Sequence, residues 1–241
     1  MKSTKTIIAA LSLMVSTLSL QSCLNDDDND SYNIVTPNAL VTVKPNSDNS
    51  SFYLQLDDST ILRATNIKTS PYGTKQVRAL VNYKAEGKPQ SSTTVPGMSE
   101  QNVTVNWIDS ILTKPTAPNY NESDNITQYG SDPVEIINDW VTVAEDGYLT
   151  LRFRTLWGTS TQHRVNLVRR FDVNTPNFFT FYHDAKGDTG GTMGDALVAF
   201  KLPELGEPNG QVVELTLQWK SFSGIKTTTF KYRMPKAAVV D

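Results

Sequence analysis

The chain has 241 residues, with 22 Lys+Arg against 25 Asp+Glu, two His, one Cys, 38% hydrophobic and 9% aromatic residues. That composition can build a core and fits one or two domains. A net charge of −3 excludes a nucleic-acid binder working through a broad basic surface. One Cys excludes an intrachain disulfide and a Cys-rich metal site, and two His leave little room for a His-based one.

Lys2 and Lys5 make a positive start, and Ile7 to Leu20 an apolar stretch interrupted by Ser12, Ser16, Thr17 and Ser19. It is too short for a membrane span, which takes about 20 apolar residues, and has the length of a signal-peptide core. Leu20-Gln21-Ser22-Cys23 follows. It resembles the lipobox of bacterial lipoproteins: an aliphatic residue, a small residue just before the Cys, and Gln21 as the departure. The resemblance implies a signal peptide over 1–22, cleavage before Cys23, a diacylglycerol on its sulfur and an acyl chain such as palmitate on the new amino group. Lipid attachment at Cys23 then ties the protein to a cell-envelope membrane. One chain at ~0.8 kcal/mol per buried CH₂ holds marginally; two or three hold firmly. Cleavage leaves 219 residues and moves the net charge from −3 to −5, because Lys2 and Lys5 go with the leader.

Residues 23–32 read as an acidic tether. Asp26, Asp27, Asp28 and Asp30 stand among Asn and Ser with no core-forming residue beyond Leu24, so the segment is solvated. Ten extended residues reach about 35 Å. The run also resembles the export signal that sends lipoproteins of some Gram-negative anaerobes to the outer face of the outer membrane. It lacks the spacing of an EF-hand calcium loop.

The rest alternates apolar and polar residues at period two. Phe52, Leu54 and Leu56 share a face, as do Val77, Ala79, Val81 and Tyr83, and Val103, Val105 and Trp107. Later come Leu149, Leu151 and Phe153 against Thr150, Arg152 and Arg154; then Val213, Leu215, Leu217 and Trp219; then Thr228, Phe230, Tyr232 and Met234. Such stretches predict half-buried strands. Turn chemistry separates them at Asp57-Asp58-Ser59, Pro71-Tyr72-Gly73, Pro96-Gly97, Asp146-Gly147, Lys186-Gly187-Asp188, Pro208-Asn209-Gly210 and Ser223-Gly224. No window after residue 31 has a helical apolar period, and one helical turn is expected around Asp132-Pro133-Val134-Glu135. Thr113 to Ser131, with two Pro and much Asn, Ser and Asp, reads as the boundary. The prediction is all-β: a small barrel over 33–115, a linker over 116–131 with little that could pack, and a β-sandwich over 132–241.

A family resemblance runs through this order. The leader, lipobox and acidic run, FYLQLDDSTILRA (52–64), KQVRALVNY (75–83), GYLTLRFRTLWG (147–158), HRVNLV (163–168) and YHDAKGD (182–188) together resemble the NigD-like lipoproteins. The resemblance implies an N-terminal OB-like barrel followed by a C-terminal β-sandwich. The family's name derives from a bacteriocin-associated locus, and it implies no catalytic residue.

The sequence carries little that reads as catalytic chemistry. No G-x-S-x-G elbow, phosphate loop or dinucleotide fingerprint occurs. His163 falls on the face of Val165 and Leu167, and His183 on that of Phe179 and Phe181, so both read as core-edge histidines. Were their strands neighbours, the rings could meet, and with Asp184 or Asp188 could bind a metal. Asp57-Asp58 reads as a turn rather than an acid/base pair, since adjacent strand residues point apart. Asp184, Asp188 and Asp195 lie among four Gly in a segment read as a hairpin and glycine loop, not a calcium cage. The barrel's charges nearly balance, against single-stranded nucleic acid; exposed Tyr53, Tyr72 or Tyr83 could instead stack on sugars.

Arg152 and Arg154 point off the apolar face of their strand and Arg164 off the next, with Arg169 and Arg170 at its end. If 148–155 and 162–169 form a hairpin, these Arg line one outer surface, matched by neighbours such as Glu214 and Asp172 or free to meet an acidic partner. The resulting expectation is a lipid-anchored envelope protein acting as a non-catalytic binding module, without catalytic, cofactor or metal residues, and with a protein or glycan partner but no nucleic acid. The alternatives are an immunity-like role or a carboxylate-dependent envelope hydrolase.

Overall fold

The computed structural model describes residues 34–235 except Asp172 and Pro208. The signal peptide, Cys23 and the acidic tether lie outside the described residues. In chain order the elements are β1 (Ala39–Pro45), β2 (Phe52–Gln55), β3 (Thr60–Ala64), β4 (Val77–Ser91), β5 (Ser99–Ser110), β6 (Leu112–Pro115), α1 (Glu122–Tyr129), β7 (Glu135–Ile137), β8 (Val143–Glu145), β9 (Tyr148–Trp157), β10 (Arg164–Arg170), β11 (Phe178–Asp184), β12 (Thr192–Lys201), β13 (Val212–Ser221) and β14 (Gly224–Arg233).

β1 to β5 close into a barrel in the order β1-β2-β3-β5-β4, with β3 and β5 parallel and the other pairs antiparallel. Its core takes Leu54, Ala79, Val81 and Val103 from the alternating sets above and adds Val41 and Val43 of β1, all fully buried. The rest forms two sheets, β10-β11-β13-β14 and β6-β12-β9-β7, with β8 on β9. Their facing sides bury Leu149, Leu151 and Phe153 of β9 against Leu167, Phe179, Phe181, Leu215 and Leu217 of the other sheet. Each such side chain contributes about 1.5–3 kcal/mol of burial. Asp146-Gly147 makes the two-residue β8–β9 turn, both at positive φ (46° and 82°) with Glu145 opposite Tyr148, as a right-twisted hairpin requires.

Three local expectations are corrected. The boundary stretch carries α1, capped by the Asn121 side chain accepting from the Asp124 N–H and begun by acidic Glu122 and Asp124, as a helix N-terminus favours. It ends at Gly130, φ 83°, where an added Cβ would lie 2.5 Å from the Asp184 Cβ. The helical turn expected at 132–135 does not form; the segment runs without regular structure into β7. β9 and β10 do not form a hairpin: β9 lies in one sheet and β10 in the other, paired with β11.

The outer face of β9 is not a solvent face throughout. Thr150, expected to point to water, is fully buried because the barrel packs there. Leu40 and Leu80 of the barrel meet Val141, Val143, Tyr148, Leu197 and Ala199 in one apolar cluster that includes Ile111. Arg78 of β4 is fully buried in the same junction. Its guanidinium pairs with Glu145 and donates to the Thr42 hydroxyl at 2.9 Å and the Thr150 hydroxyl at 3.3 Å. Lys44 reaches Asp146 at 2.6 Å, and Gln76 donates to the Tyr148 hydroxyl at 3.0 Å. A buried cation so partnered fixes geometry, because a shifted position leaves it uncompensated. The described residues from 34 to 235 accordingly form one compact unit.

Candidate functional site

Beyond the junction, the outer face of β9 continues into Arg152 and Arg154. Asp195 of β12 lies opposite Arg154 in register. Its carboxylate accepts from Arg154 Nε at 2.5 Å and Arg152 Nε at 2.8 Å, and these two guanidinium groups hold it far down, at about 2. Arg152 also donates to Asp139 at 2.9 Å. Asp139 is thereby a clamp: its other carboxylate oxygen accepts from the Val141 N–H at 3.2 Å, and its carbonyl from the Thr142 N–H at 3.1 Å. The turn between β7 and β8 is fixed on both sides, and the residue inside it, Trp140, stands 55% exposed. Under Trp140 is a cavity of about 300 Å³ lined by Pro37 and Leu80 of the barrel and Val141, Arg152, Ala196 and Leu197 of the sandwich.

The arrangement combines a large aromatic surface on a rigid turn, an apolar hollow beside it, and a charge-neutral Arg–Asp rim. Exposed Trp and Arg in such settings are the residue types that carry interface energy. The arginines expected as one ladder divide. Arg152 and Arg154 belong here, neutralised by Asp139 and Asp195 and not by Glu214; Asp172 lies outside the described residues. Arg164, on β10, is on the other sheet. Trp140 and Asp139 were not anticipated, because they sit in a turn without periodicity; an Asp directly before a Trp between two short strands is the local signal.

The histidines do meet. His163 Nδ1 is 2.9 Å from His183 Nε2, and His163 Nε2 is 3.4 Å from an Asp188 oxygen. Asp188 accepts from the Gly158 and Thr159 N–H groups, which hold it below the usual carboxylate range. Trp157 stacks on His163 at 4.2 Å. Burial, then the neighbouring His163, pushes His183 down to about 4. Asp184 turns instead to Lys186 at 2.7 Å. Among the described residues no three metal-ligating side chains are arranged to hold an ion.

The other candidates are scattered by the fold. Asp57 accepts from the Ser59 N–H in the β2–β3 turn, while Asp58 pairs with Arg233. Asp184, Asp188 and Asp195 each serve different partners. Tyr53 is half-buried, and Tyr72 and Tyr83 pack against the barrel core, Tyr72 donating to the Ile108 carbonyl, so none is the exposed stacking ring expected. No helix among the described residues is long and apolar enough to cross a membrane.

The family model described as the NigD-like N-terminal OB domain matches residues 40–111, and that of the NigD-like C-terminal beta sandwich domain matches residues 116–232. Among solved structures, a toxin-related protein from Parabacteroides distasonis is 33% identical, over 81% of this chain and 92% of its own, with a TM-score of 0.65. A protein of unknown function from Bacteroides vulgatus is similar at 19% identity, over 84% and 92%, with a TM-score of 0.62. A NigD-like immunity protein from Bacteroides caccae is similar at 19% identity, over 81% and 95%, with a TM-score of 0.54. The last two share the fold. No curated protein matches the chain. None of these relatives indicates a catalytic family.

Proposed function

This chain belongs to the NigD-like family, and from that premise we propose that it is a cell-envelope protein, lipid-anchored through Cys23, whose fused barrel and sandwich act as a non-catalytic module that binds an envelope protein. The observation that carries this reading is the Asp139-clamped turn that holds Trp140 out over an apolar hollow. A half-exposed Trp loses hydration-unfavourable surface only when something covers it, and a fixed turn binds without an ordering cost. The leader, lipobox and acidic run support an anchor ahead of this body, and the acidic run's likeness to an export signal favours the outer face of the outer membrane.

The test is capture from detergent-solubilised envelopes by the intact lipoprotein beside its Trp140→Ala variant. A protein retained by the native chain and lost by the variant supports the reading. A partner retained equally by both refutes this face, and a co-purified glycan in its place assigns the Trp to sugar stacking. A second reading, protection against a toxin, draws on the 33%-identical relative described as toxin-related. Survival of cells carrying or lacking the gene, exposed to a toxin produced from its gene neighbourhood, tests it.

A further inference from the structure

A different face carries a different chemistry. β6 and β10 are edge strands of the two sheets, and Lys114 spans the seam between them, donating to the Val165 carbonyl at 2.7 Å and the Asn166 side-chain oxygen at 2.9 Å. Both acceptors are neutral. An ammonium has three N–H groups, and among the described residues the third has no protein acceptor. Beside it the Arg164 side chain makes no hydrogen bond or ion pair among the described residues; Asp184, opposite it in register, is ion-paired with Lys186 and attracts Arg164 only from beyond ion-pair distance. The groove they share with α1 encloses about 440 Å³, and no Asp or Glu lines it. Gln128 of α1 and Gln162, before β10, line the same groove, and neither side-chain amide has a partner among the described residues.

We propose that this groove binds a small ligand through an oxyanion — a carboxylate, sulfate or phosphate group — held between Lys114 and Arg164, with Gln128 and Gln162 donating to its remaining oxygens. A half-buried cation facing only neutral acceptors is costly, and here a second cation stands next to it. Burial, then the nearby Arg164, holds Lys114 below its ordinary value. Charge-assisted hydrogen bonds from both, one a planar fork, are the strong kind. The volume falls within the range of small-molecule sites.

The test is calorimetric titration of the mature lipoprotein in neutral detergent with sodium glucuronate, glucose 6-phosphate, sodium sulfate and, as control, glucose. The expected result is millimolar or tighter binding of at least one anion, weakened by added salt, with none for glucose. Arg164→Gln and Lys114→Gln should each weaken it about tenfold or more, and Trp140→Ala should leave it unchanged. Arg164→Gln removes no side-chain hydrogen bond or ion pair, only a longer-range attraction to Asp184, so its circular dichroism should match the parent. Glucuronate alone binding identifies a carboxylated ligand, the phosphate ester alone a phosphorylated one, and sulfate alone a sulfated one. The proposal is overturned if no anion binds, if glucose binds equally, or if Arg164→Gln binds as the parent does.

Discussion

Replacing Arg78 with Met tests how the two halves are held together. Met keeps much of the buried volume, so the loss is electrostatic rather than a cavity. Three hydrogen bonds go, to Glu145, Thr42 and Thr150, and Glu145 is left without its counter-charge in a place where burial already pushes its carboxyl above the ordinary range against the pull of Arg78. Removing one partner of a buried pair costs about 3–5 kcal/mol. The Glu145 side chain keeps 25% exposure, so water relieves part of the penalty and the lower end, about 3 kcal/mol, is expected. For a chain of this size that lowers Tm by about 6–12 °C. Adding Glu145→Gln should restore about 1–2 kcal/mol by removing the stranded charge. The sign with pH follows: Glu145 binds its proton more tightly folded than unfolded, and more so without Arg78, so the variant's deficit grows as pH rises through the carboxylate range and shrinks below about pH 4. Thermal and urea unfolding of the single and double variants measure this. A single-variant loss under about 1 kcal/mol, or no recovery in the double, would refute the reasoning.

Gly130→Ala should destabilise by about 2–4 kcal/mol, through positive φ and a Cβ driven onto Asp184; urea midpoints check it. His183, folded at about 4 against an ordinary 6.5, binds more protons unfolded, so its contribution is present above pH ~6.5 and is lost as pH falls toward ~4, by about 2–3 kcal/mol. His183→Phe should flatten the Tm profile across that window, and an unchanged profile would contradict it. Asp139→Ala frees the turn around Trp140, so amide hydrogen exchange at 140–142 should speed up while the global Tm moves by only a few degrees.

Strand faces were legible because alternation is local: Leu149, Leu151 and Phe153 declare a buried side whatever they pair with. Pairing was not. The segment from Gly158 to His163 crosses from one sheet to the other instead of closing a hairpin, and nothing in its composition distinguishes the two, so Arg164 parts from Arg152 and Arg154. Arg78 and Thr150 both sit off the apolar face of their strands, and their burial comes from contact between residues 72 apart, which no local pattern carries. The helix escaped notice because eight residues are too few for an apolar period; its signature is the cap, Asn121 with Asp124 and a final Gly130. Lys114 sits in a four-residue strand whose neighbour across the seam lies about fifty residues on.

The anchor is the claim on which the proposed role depends, and intact mass spectrometry of the native protein extracted from membranes tests it most directly. The expected species begins at Cys23 and carries a diacylglycerol thioether with an acyl chain on its amino group. A free Cys23 thiol, or a chain still bearing residues 1–22, would contradict it.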